Sequence, residues 1–214
     1  MLIRLLVAWA GAYVLGSIPS GIFWTWITKR IDIRQHGSGR TGGTNVWRTA
    51  GFWPAFLTAV SDGVKGAAGV WLAKAFGLTA WGIAIAGTLT VVGHNYSLFL
   101  KFRGGAGTGT SIGVASVLWV WALPILVALG VVVGLLVGHA SVGSILIALA
   151  LPVIFLARNE LPNWAGFGIP TMLLTIWALR PNIDRLCKRA ERFLPIYLKK
   201  PPLIRLSRHP SDHR

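Results

Sequence analysis

Residues 78–110, LTAWGIAIAGTLTVVGHNYSLFLKFRGGAGTGT, join an apolar run to a glycine-rich basic segment. Between residues 78 and 99 the run contains no Asp, Glu, Lys or Arg. About 20 consecutive apolar residues are enough for an α-helix to cross a bilayer, and a helix satisfies its own backbone hydrogen bonds in lipid. The stretch therefore predicts a transmembrane helix that ends in a polar loop.

Further apolar spans lie on both sides of this run. Their approximate limits are 2–27, 53–76, 110–123, 124–137, 142–156 and 164–179. The two spans that meet at Pro124, 110–123 and 124–137, are short. Arg4 is the only basic residue near the start of the first span, and the span is longer than the apolar region of a usual signal peptide, so we interpret it as a retained helix. The predicted fold is an all-α integral membrane protein with about seven transmembrane helices.

The composition supports a membrane protein. The chain has 214 residues, of which 54% are hydrophobic and 13% charged, whereas soluble domains carry roughly 25% charged residues. A soluble helical protein with a large core is the alternative. The net charge of +15 is compatible with nucleic acid, but the basic residues adjoin apolar spans, where they set orientation and meet anionic lipids. We therefore expect membrane lipids as partners and no nucleic acid.

Cysteine usage restricts the chemistry. Cys187 is the single cysteine of the chain, which excludes an intramolecular disulfide and a cysteine-based metal cluster. No Ser-His-Asp set or His-x4-Asp motif is evident. We expect neither a metal nor a cofactor.

The basic residues predict the orientation. With seven spans, one side of the membrane receives residues 28–52, 100–109 and 180–214. These segments hold most of the Lys and Arg, and the other side holds only Arg4, Lys74 and Arg158. Because basic loops stay in the cytoplasm, we expect the N-terminus outside and the C-terminus in the cytoplasm.

Two glycine-rich segments follow predicted spans. The first glycine segment is GSGRTGGTNVWR at 37–48, and the second is RGGAGTGT at 103–110. Glycine allows tight turns that aim several N–H groups at one point, and hydroxyl and guanidinium groups add donors and positive charge. The two segments predict one anion site, for phosphate groups, at a membrane face.

Four ordered elements resemble a known family. They are GSIPSG at 16–21 with Asp32-Ile33-Arg34 and the first glycine segment, DGVKG at 62–66, GH at 93–94 with FLKFRGG at 99–105, and NIDRL at 182–186 with Glu191. This order resembles the bacterial membrane acyltransferases that use acyl phosphate to acylate glycerol 3-phosphate. The resemblance covers nearly the whole chain.

The resemblance implies an activity and its partners. The implied reaction is acyl transfer to the 1-hydroxyl of glycerol 3-phosphate, which yields lysophosphatidic acid and phosphate, the first step of phospholipid synthesis. Acyl phosphate and glycerol 3-phosphate are the implied substrates, and the enzyme that forms acyl phosphate is a further candidate partner. The implied location is the bacterial plasma (inner) membrane, with the active face in the cytoplasm.

The resemblance also implies site residues. The candidate catalytic residues are Ser38, Arg48, Asn182 and Glu191. The candidate phosphate-binding residues are Gly37, Gly39, Arg40, Thr41, Thr44, Asn45, Arg103, Gly104, Gly105 and Gly107. Further candidates are His94, Ser141, Ser144, Asp62 and Lys65.

Structural roles remain open for several of these residues. Ser38 or Asn45 could cap a helix, and Arg48 could contact a lipid headgroup. Asp62 and Lys65 lie three residues apart and could form an ion pair on one helix face. His94, Ser141 and Ser144 could serve helix packing.

The chain departs from the family pattern at several positions, and TGGT at 41–44 stands where the family usually has Pro-Gly-Ala-Thr. Arg40 stands where the family usually has Asn, Ala106 where it has a phosphate-binding Lys, and Leu179 where it has His. We hypothesise that Arg40 replaces the missing cation. A non-catalytic relative that binds lipid precursors or a partner enzyme is an alternative, and an anion transporter is a weaker one, because no inverted repeat is evident.

The predicted organisation is a transmembrane domain, 1–194, followed by a basic tail, 195–214. The tail has no apolar period, so we expect it to be flexible or to lie on the membrane surface.

Overall fold

The computed structural model describes residues 2–198, 202–204 and 206–207, which contain helices and no β-strand. The α-helices are α1 (Leu2–Ser17), α2 (Ser20–Lys29), α3 (Gly43–Ala50), α4 (Phe52–Ala75), α5 (Ala80–Asn95), α6 (Thr108–Leu118), α7 (Ala122–Val137), α8 (Ala140–Ala157), α9 (Leu161–Asn163) and α10 (Ile169–Cys187). A π-helical turn, Trp164–Gly168, joins α9 to α10, and short 3-10 turns occupy Ile33–Gln35, Leu98–Leu100 and Pro195–Tyr197. The all-α prediction is confirmed for the described residues.

Within the described part of the chain, three helical segments are long and apolar enough to cross a membrane alone. They are Leu2–Lys29, Ala80–Leu100 and Ala140–Ala157. Thr108–Leu118 and Ala122–Val137 are shorter apolar helices. Many large apolar side chains on these helices are exposed, such as Leu2 and Val153. Together they form an apolar surface of the kind that a bilayer covers.

The first span is not one continuous helix, contrary to the prediction for residues 2–27. Its two parts, α1 and α2, are separated by Ile18 and Pro19. Proline lacks the N–H that would continue the hydrogen-bond ladder. The carbonyl of Ile18 instead accepts a hydrogen bond from Lys65 Nζ at 2.9 Å. The break therefore creates a polar position inside the bundle.

The division between the fourth and fifth spans lies earlier than predicted. Helix α6 ends at Leu118 and α7 begins at Ala122, so the turn consists of residues 119–121 and not of Pro124. Pro124 lies in the first turn of α7, where its missing N–H would have had no partner within the helix.

The first glycine segment is only partly a loop. Its second half forms α3, a short helix whose Val46 and Ala50 pack in a small buried cluster with Ile33. Thr44, Asn45 and Arg48 thus project from a helix that is fixed against the bundle.

The described part of the basic tail packs on the bundle. Tyr197 Oη donates to the Leu135 carbonyl at 2.5 Å, and the Ile204 N–H donates to the Leu136 carbonyl at 3.0 Å. These contacts differ from a flexible tail, which was one of the two arrangements that we expected. The remainder of the tail, 199–201, 205 and 208–214, lies outside the described residues.

Glycine allows α4 and α6 to cross closely. A Cβ built on Gly113 would lie 1.9 Å from the Gly63 carbonyl oxygen, and a Cβ on Gly66 would lie 2.2 Å from the Thr110 carbonyl oxygen. Backbone atoms cannot move aside as a side chain can. Small residues at such crossings are what permit close packing in membranes, and this crossing carries Asp62 and the start of α6 to the same place.

We expect Gly113→Ala to destabilise the protein by about 1–3 kcal/mol, because the added methyl group overpacks this crossing. Thermal unfolding in detergent micelles would measure the loss. Gly63→Ala is the matched control, since its Cβ would meet only the Gly109 carbonyl oxygen at 3.9 Å. Equal melting temperatures for the two variants would contradict the prediction.

Candidate active site

A cavity of about 570 Å³ lies where both glycine segments meet the ends of α4, α7, α8 and α10. Its polar wall consists of Ser38, Arg40, Thr44, Asn45, Arg48, Asp62, His94, Thr108, Ser141, Ser144, Asn182, Arg185 and Glu191. Its apolar wall includes Trp47, Phe52, Ala55, Phe56, Val131, Leu135, Ile147, Leu179 and Leu194. All four predicted catalytic residues therefore border one cavity.

Asn45 holds the first glycine segment in shape. Its Oδ1 accepts from the Ser38 N–H at 2.9 Å, and its Nδ2 donates to the carbonyls of His36 at 3.0 Å and Arg40 at 2.9 Å. Asn45 is 3% exposed, so its amide is committed to the loop backbone. Asn45 thus organises the loop, and Ser38 is placed at the cavity wall. The phosphate contact of Asn45 stays a prediction.

The turns of this loop depend on glycine at two positions. Gly37 has φ 61° and Gly39 has φ 71°, a region that residues with a Cβ rarely adopt. Gly37, Gly39 and Thr41 are not among the described residues that line the cavity. The positive φ angles give Gly37 and Gly39 a part in loop geometry, and the phosphate contacts of all three residues stay predictions.

Two arginines reach the cavity. Arg40 Nη2 donates to the Ala178 carbonyl of α10, whereas its buried Nη1 has no hydrogen-bond partner among the described residues. Arg48 donates to the carbonyls of Phe193 at 3.1 Å and Arg192 at 2.9 Å. Burial lowers the pKa of both guanidinium groups. An anion bound in the cavity would compensate the positive charge of these buried guanidinium groups.

Glu191 anchors the third predicted element. It is 4% exposed, and its carboxylate accepts from Asn182 Nδ2 at 2.9 Å, Arg185 Nε at 2.8 Å and Ser141 Oγ at 3.3 Å. Asn182 and Glu191, both predicted catalytic residues, are therefore in direct contact. Arg185 lies inside the NIDRL element but was not among the predicted site residues.

Asp62 is the centre of a buried polar cluster. Its Oδ1 lies 2.9 Å from Lys65 Nζ, 2.5 Å from Ser20 Oγ and 3.5 Å from His94 Nδ1. The ion pair that we considered for Asp62 and Lys65 is therefore observed. Asp62 and His94 border the cavity, and Lys65 turns toward the break between α1 and α2.

The second glycine segment reaches the cavity only with its later residues. The N–H groups of Gly104 and Gly105 donate to the carbonyls of Asn95 and His94. A Cβ on Gly105 would lie 2.0 Å from His94 Nε2. These glycines therefore serve close packing, and their roles as phosphate contacts stay predictions.

Ala106, Gly107, Thr108 and Gly109 form the part of this segment that borders the cavity. Arg103 is exposed and is not among the described cavity residues, and its phosphate contact stays a prediction. The apolar wall was missed altogether, because its residues resemble any others in an apolar span. Among the described residues, no group of three or more His, Cys, Asp or Glu side chains could hold a metal ion.

Comparison with known proteins identifies similar sequences. The glycerol-3-phosphate acyltransferase family matches residues 6–189. The glycerol-3-phosphate acyltransferase of one strain of Thermus thermophilus is 40% identical over 188 residues, which cover 86% of this chain and 92% of the relative. That of Synechococcus sp. JA-2-3B'a(2-13) is 42% identical over 192 residues, which cover 87% of this chain and 92% of the relative.

Two solved structures share the fold. Both are crystal structures of PlsY, an integral membrane glycerol 3-phosphate acyltransferase. The glycerol 3-phosphate form superposes with a TM-score of 0.80 at 29% identity, and the lysophosphatidic acid form with 0.78 at 28%. Each comparison covers 88% of this chain and 94% of the solved chain. The similarity therefore extends over nearly the whole bundle.

Proposed function

The chain belongs to the glycerol-3-phosphate acyltransferase family, and we propose that it transfers the acyl group of an acyl phosphate to the 1-hydroxyl of glycerol 3-phosphate. The products are lysophosphatidic acid and inorganic phosphate. The main structural support is the cavity, which combines an apolar wall with Arg40 Nη1, an atom that has no hydrogen-bond partner among the described residues. Such a site suits an anionic headgroup that is attached to a lipid chain.

The reaction needs little covalent help. The substrate hydroxyl oxygen attacks the acyl carbonyl carbon, the bond from that carbon to the phosphate oxygen breaks, and the released phosphate accepts the hydroxyl proton. Phosphate is a good leaving group, so positioning and charge neutralisation supply most of the rate. In this scheme Arg40 and Arg48 bind phosphate oxygens, and Ser38 and Thr44 donate hydrogen bonds to them.

Asn182 and Glu191 have different parts in this scheme. Glu191 is buried and its carboxylate is bonded to Asn182 and Arg185, so it is poorly suited to be a general base. Its role is to orient Asn182, whose amide faces the reacting groups. Ser141 and Ser144 support this wall of the cavity.

The apolar wall suits the acyl chain. Phe52 and Phe56 of α4 and Val131 and Leu135 of α7 border the cavity and are also exposed on the surface of the bundle. A chain that enters between these helices can remain in lipid while its carbonyl group reaches the polar wall.

We also propose the topology and the location. The crossings are α1 with α2, then α4, α5, α6, α7, α8 and finally α9 with α10. The excess of basic residues on the side of the cavity supports an external N-terminus and a cytoplasmic C-terminus. We place the protein in the bacterial plasma membrane, with a transmembrane domain, 1–194, and a basic tail, 195–214. The enzyme that forms acyl phosphate would then meet it at the cytoplasmic face.

The test is acyl transfer by the purified protein in lipid, with radiolabelled glycerol 3-phosphate and palmitoyl phosphate. We expect labelled lysophosphatidic acid, and we expect Ser38→Ala to lower the rate at least tenfold, about the effect of losing a hydrogen bond to a charged group. Palmitoyl-CoA and palmitoyl-acyl carrier protein are the competing donors.

Ser61→Ala is the matched control. Ser61 Oγ accepts a hydrogen bond from Trp24 Nε1 at 2.8 Å and is not among the described cavity residues. Its rate should equal that of the unmodified protein. A folded protein that gives no product with any donor would favour the non-catalytic alternative, and product from palmitoyl-CoA alone would refute the acyl phosphate donor.

A further inference from the structure

Residues 191–194, here called the strap, connect α10 to the rest of the site. They follow the part of the chain that matches the family, which ends at residue 189. The strap runs past α3 and the turn between α7 and α8. The Leu194 N–H donates to the Gly138 carbonyl at 2.8 Å, and the strap carbonyls of Arg192 and Phe193 accept from Arg48. Thus Arg48 is held by backbone atoms far along the chain.

His139 also contacts the strap. It is 0% exposed and precedes the first residue of α8. Its ring centroid lies 4.4 Å from that of Phe193, and its Nδ1 lies 3.1 Å from the Arg192 carbonyl oxygen. The same oxygen accepts from Arg48 Nη2 at 2.9 Å. His139 and Arg48 therefore share one acceptor.

The protonation of His139 follows from its contacts. A carbonyl oxygen can only accept, so Nδ1 carries a proton. The Nε2 atom is buried without a partner among the described residues, and burial lowers the pKa of His139. The neutral ring with the proton on Nδ1 satisfies both conditions. His139 is not among the described residues that line the cavity, so any effect on the reaction is indirect.

We propose that His139 is a positioning residue of the acyl transfer. By fixing the Arg192 carbonyl it holds the strap, and the strap holds the Arg48 guanidinium at the cavity wall and the Glu191 carboxylate against Asn182. This inference rests on the proposed function, because Arg48 and Glu191 matter through that reaction. It concerns a histidine in neither glycine segment nor any of the resembling elements.

Two variants separate the hydrogen bond from the packing. His139→Phe keeps a ring against Phe193 but loses the donor, and we expect kcat to fall about tenfold, the effect of one misplaced charged contact. His139→Asn keeps a donor near the position of Nδ1 and is a favoured residue before a helix. We expect it to retain kcat within about threefold.

A double-mutant cycle tests the route through Arg48. An Arg48→Lys background lacks the planar guanidinium whose Nε and Nη2 make the two strap contacts. There we expect His139→Phe to lower kcat by less than about twofold, because coupled residues are not additive. Tyr197→Phe is the control, since it removes a hydrogen bond to the Leu135 carbonyl from the same C-terminal segment and should leave kcat and KM unchanged.

Hydrogen exchange provides a readout that does not depend on activity. His139→Phe should accelerate exchange at the Leu194 amide, which His139→Asn should leave slow. Equal losses of kcat in His139→Phe and Tyr197→Phe, failure of His139→Asn to retain kcat, or full additivity with Arg48→Lys would overturn the inference. An unmodified protein that is inactive but shows the expected exchange pattern would refute the proposed function and leave the attachment of the strap intact.

Discussion

Replacing Arg40 with alanine is expected to lower kcat/KM for glycerol 3-phosphate by roughly tenfold to a hundredfold, because a charge-assisted phosphate contact contributes about 1.5–3 kcal/mol. The buried Nη1 of Arg40 has no partner among the described residues, and it lies in the wall of a cavity that Ala106 also borders. The family resemblance implies a lysine at position 106. Arg40 is therefore the group best placed to supply the cation that Ala106 cannot.

A second substitution tests this exchange of roles. Ala106→Lys in the Arg40→Ala background should restore about tenfold of the lost kcat/KM, since it returns a cation to the same cavity. Arg103→Ala is the control, because Arg103 belongs to the second glycine segment but is exposed and should be dispensable. Unchanged kcat/KM in Arg40→Ala would remove Arg40 from the site.

Replacing Asp62 with alanine is expected to cost about 3–5 kcal/mol of stability, because it leaves a buried cation without its counter-charge. The side chains of Asp62 and Lys65 are 6% and 7% exposed. Ser20 and His94 would lose their contacts with the same carboxylate oxygen. We expect a strong fall in the melting temperature in detergent or a loss of folded protein.

Removing both charges should be better tolerated than removing one. Asp62→Leu with Lys65→Met eliminates the unpaired charge, and apolar replacements of buried ion pairs are often neutral. Asp184→Ala is the control, because its partner Lys188 is 70% exposed and exposed pairs contribute at most about 1 kcal/mol. If Asp62→Ala were as stable as the unmodified protein, the cluster would not be structural. A stable but inactive double variant would instead assign it a catalytic part.

Sequence reasoning was most successful for the apolar spans. The limits of α4 and α8 lie close to the predicted ones, because a bilayer imposes a simple requirement on composition. It failed at local breaks, such as that between Ser17 and Ser20 and that after Leu118. Neither break contains a charged residue that would mark the end of an apolar span, so the backbone chemistry of Pro19 and the packing of the neighbouring helices determine them.

The candidate site was predictable as a set of residues but not as an arrangement. Motif order identified Ser38, Arg48 and Glu191, which do meet in one cavity. It could not separate Asn45, which holds the loop, from residues that face the cavity. Nor could it identify His139, because a histidine beside a carbonyl 53 positions later leaves no local sequence pattern.

The short helix α6 has a consequence for the lipid substrate. Its 11 residues rise about 16 Å at 1.5 Å per residue, roughly half of the hydrocarbon thickness of about 30 Å. The residues around the C-terminal end of α6 are of the kinds found at a membrane boundary. Trp121 is 64% exposed, Lys74 Nζ donates to the Val117 carbonyl, and Arg158 stacks on Trp119.

In the proposed topology, the opposite end of α6, which borders the cavity at Thr108, therefore lies below the level of the headgroups. Drawing a fatty chain out of a bilayer costs about 0.8 kcal/mol for each methylene group that becomes wet. A site at this depth avoids that cost, because the acyl chain of the donor need not leave the bilayer. Glycerol 3-phosphate, which is soluble in water, would enter the cavity from the aqueous side, and the acyl chain of the donor would stay within the bilayer.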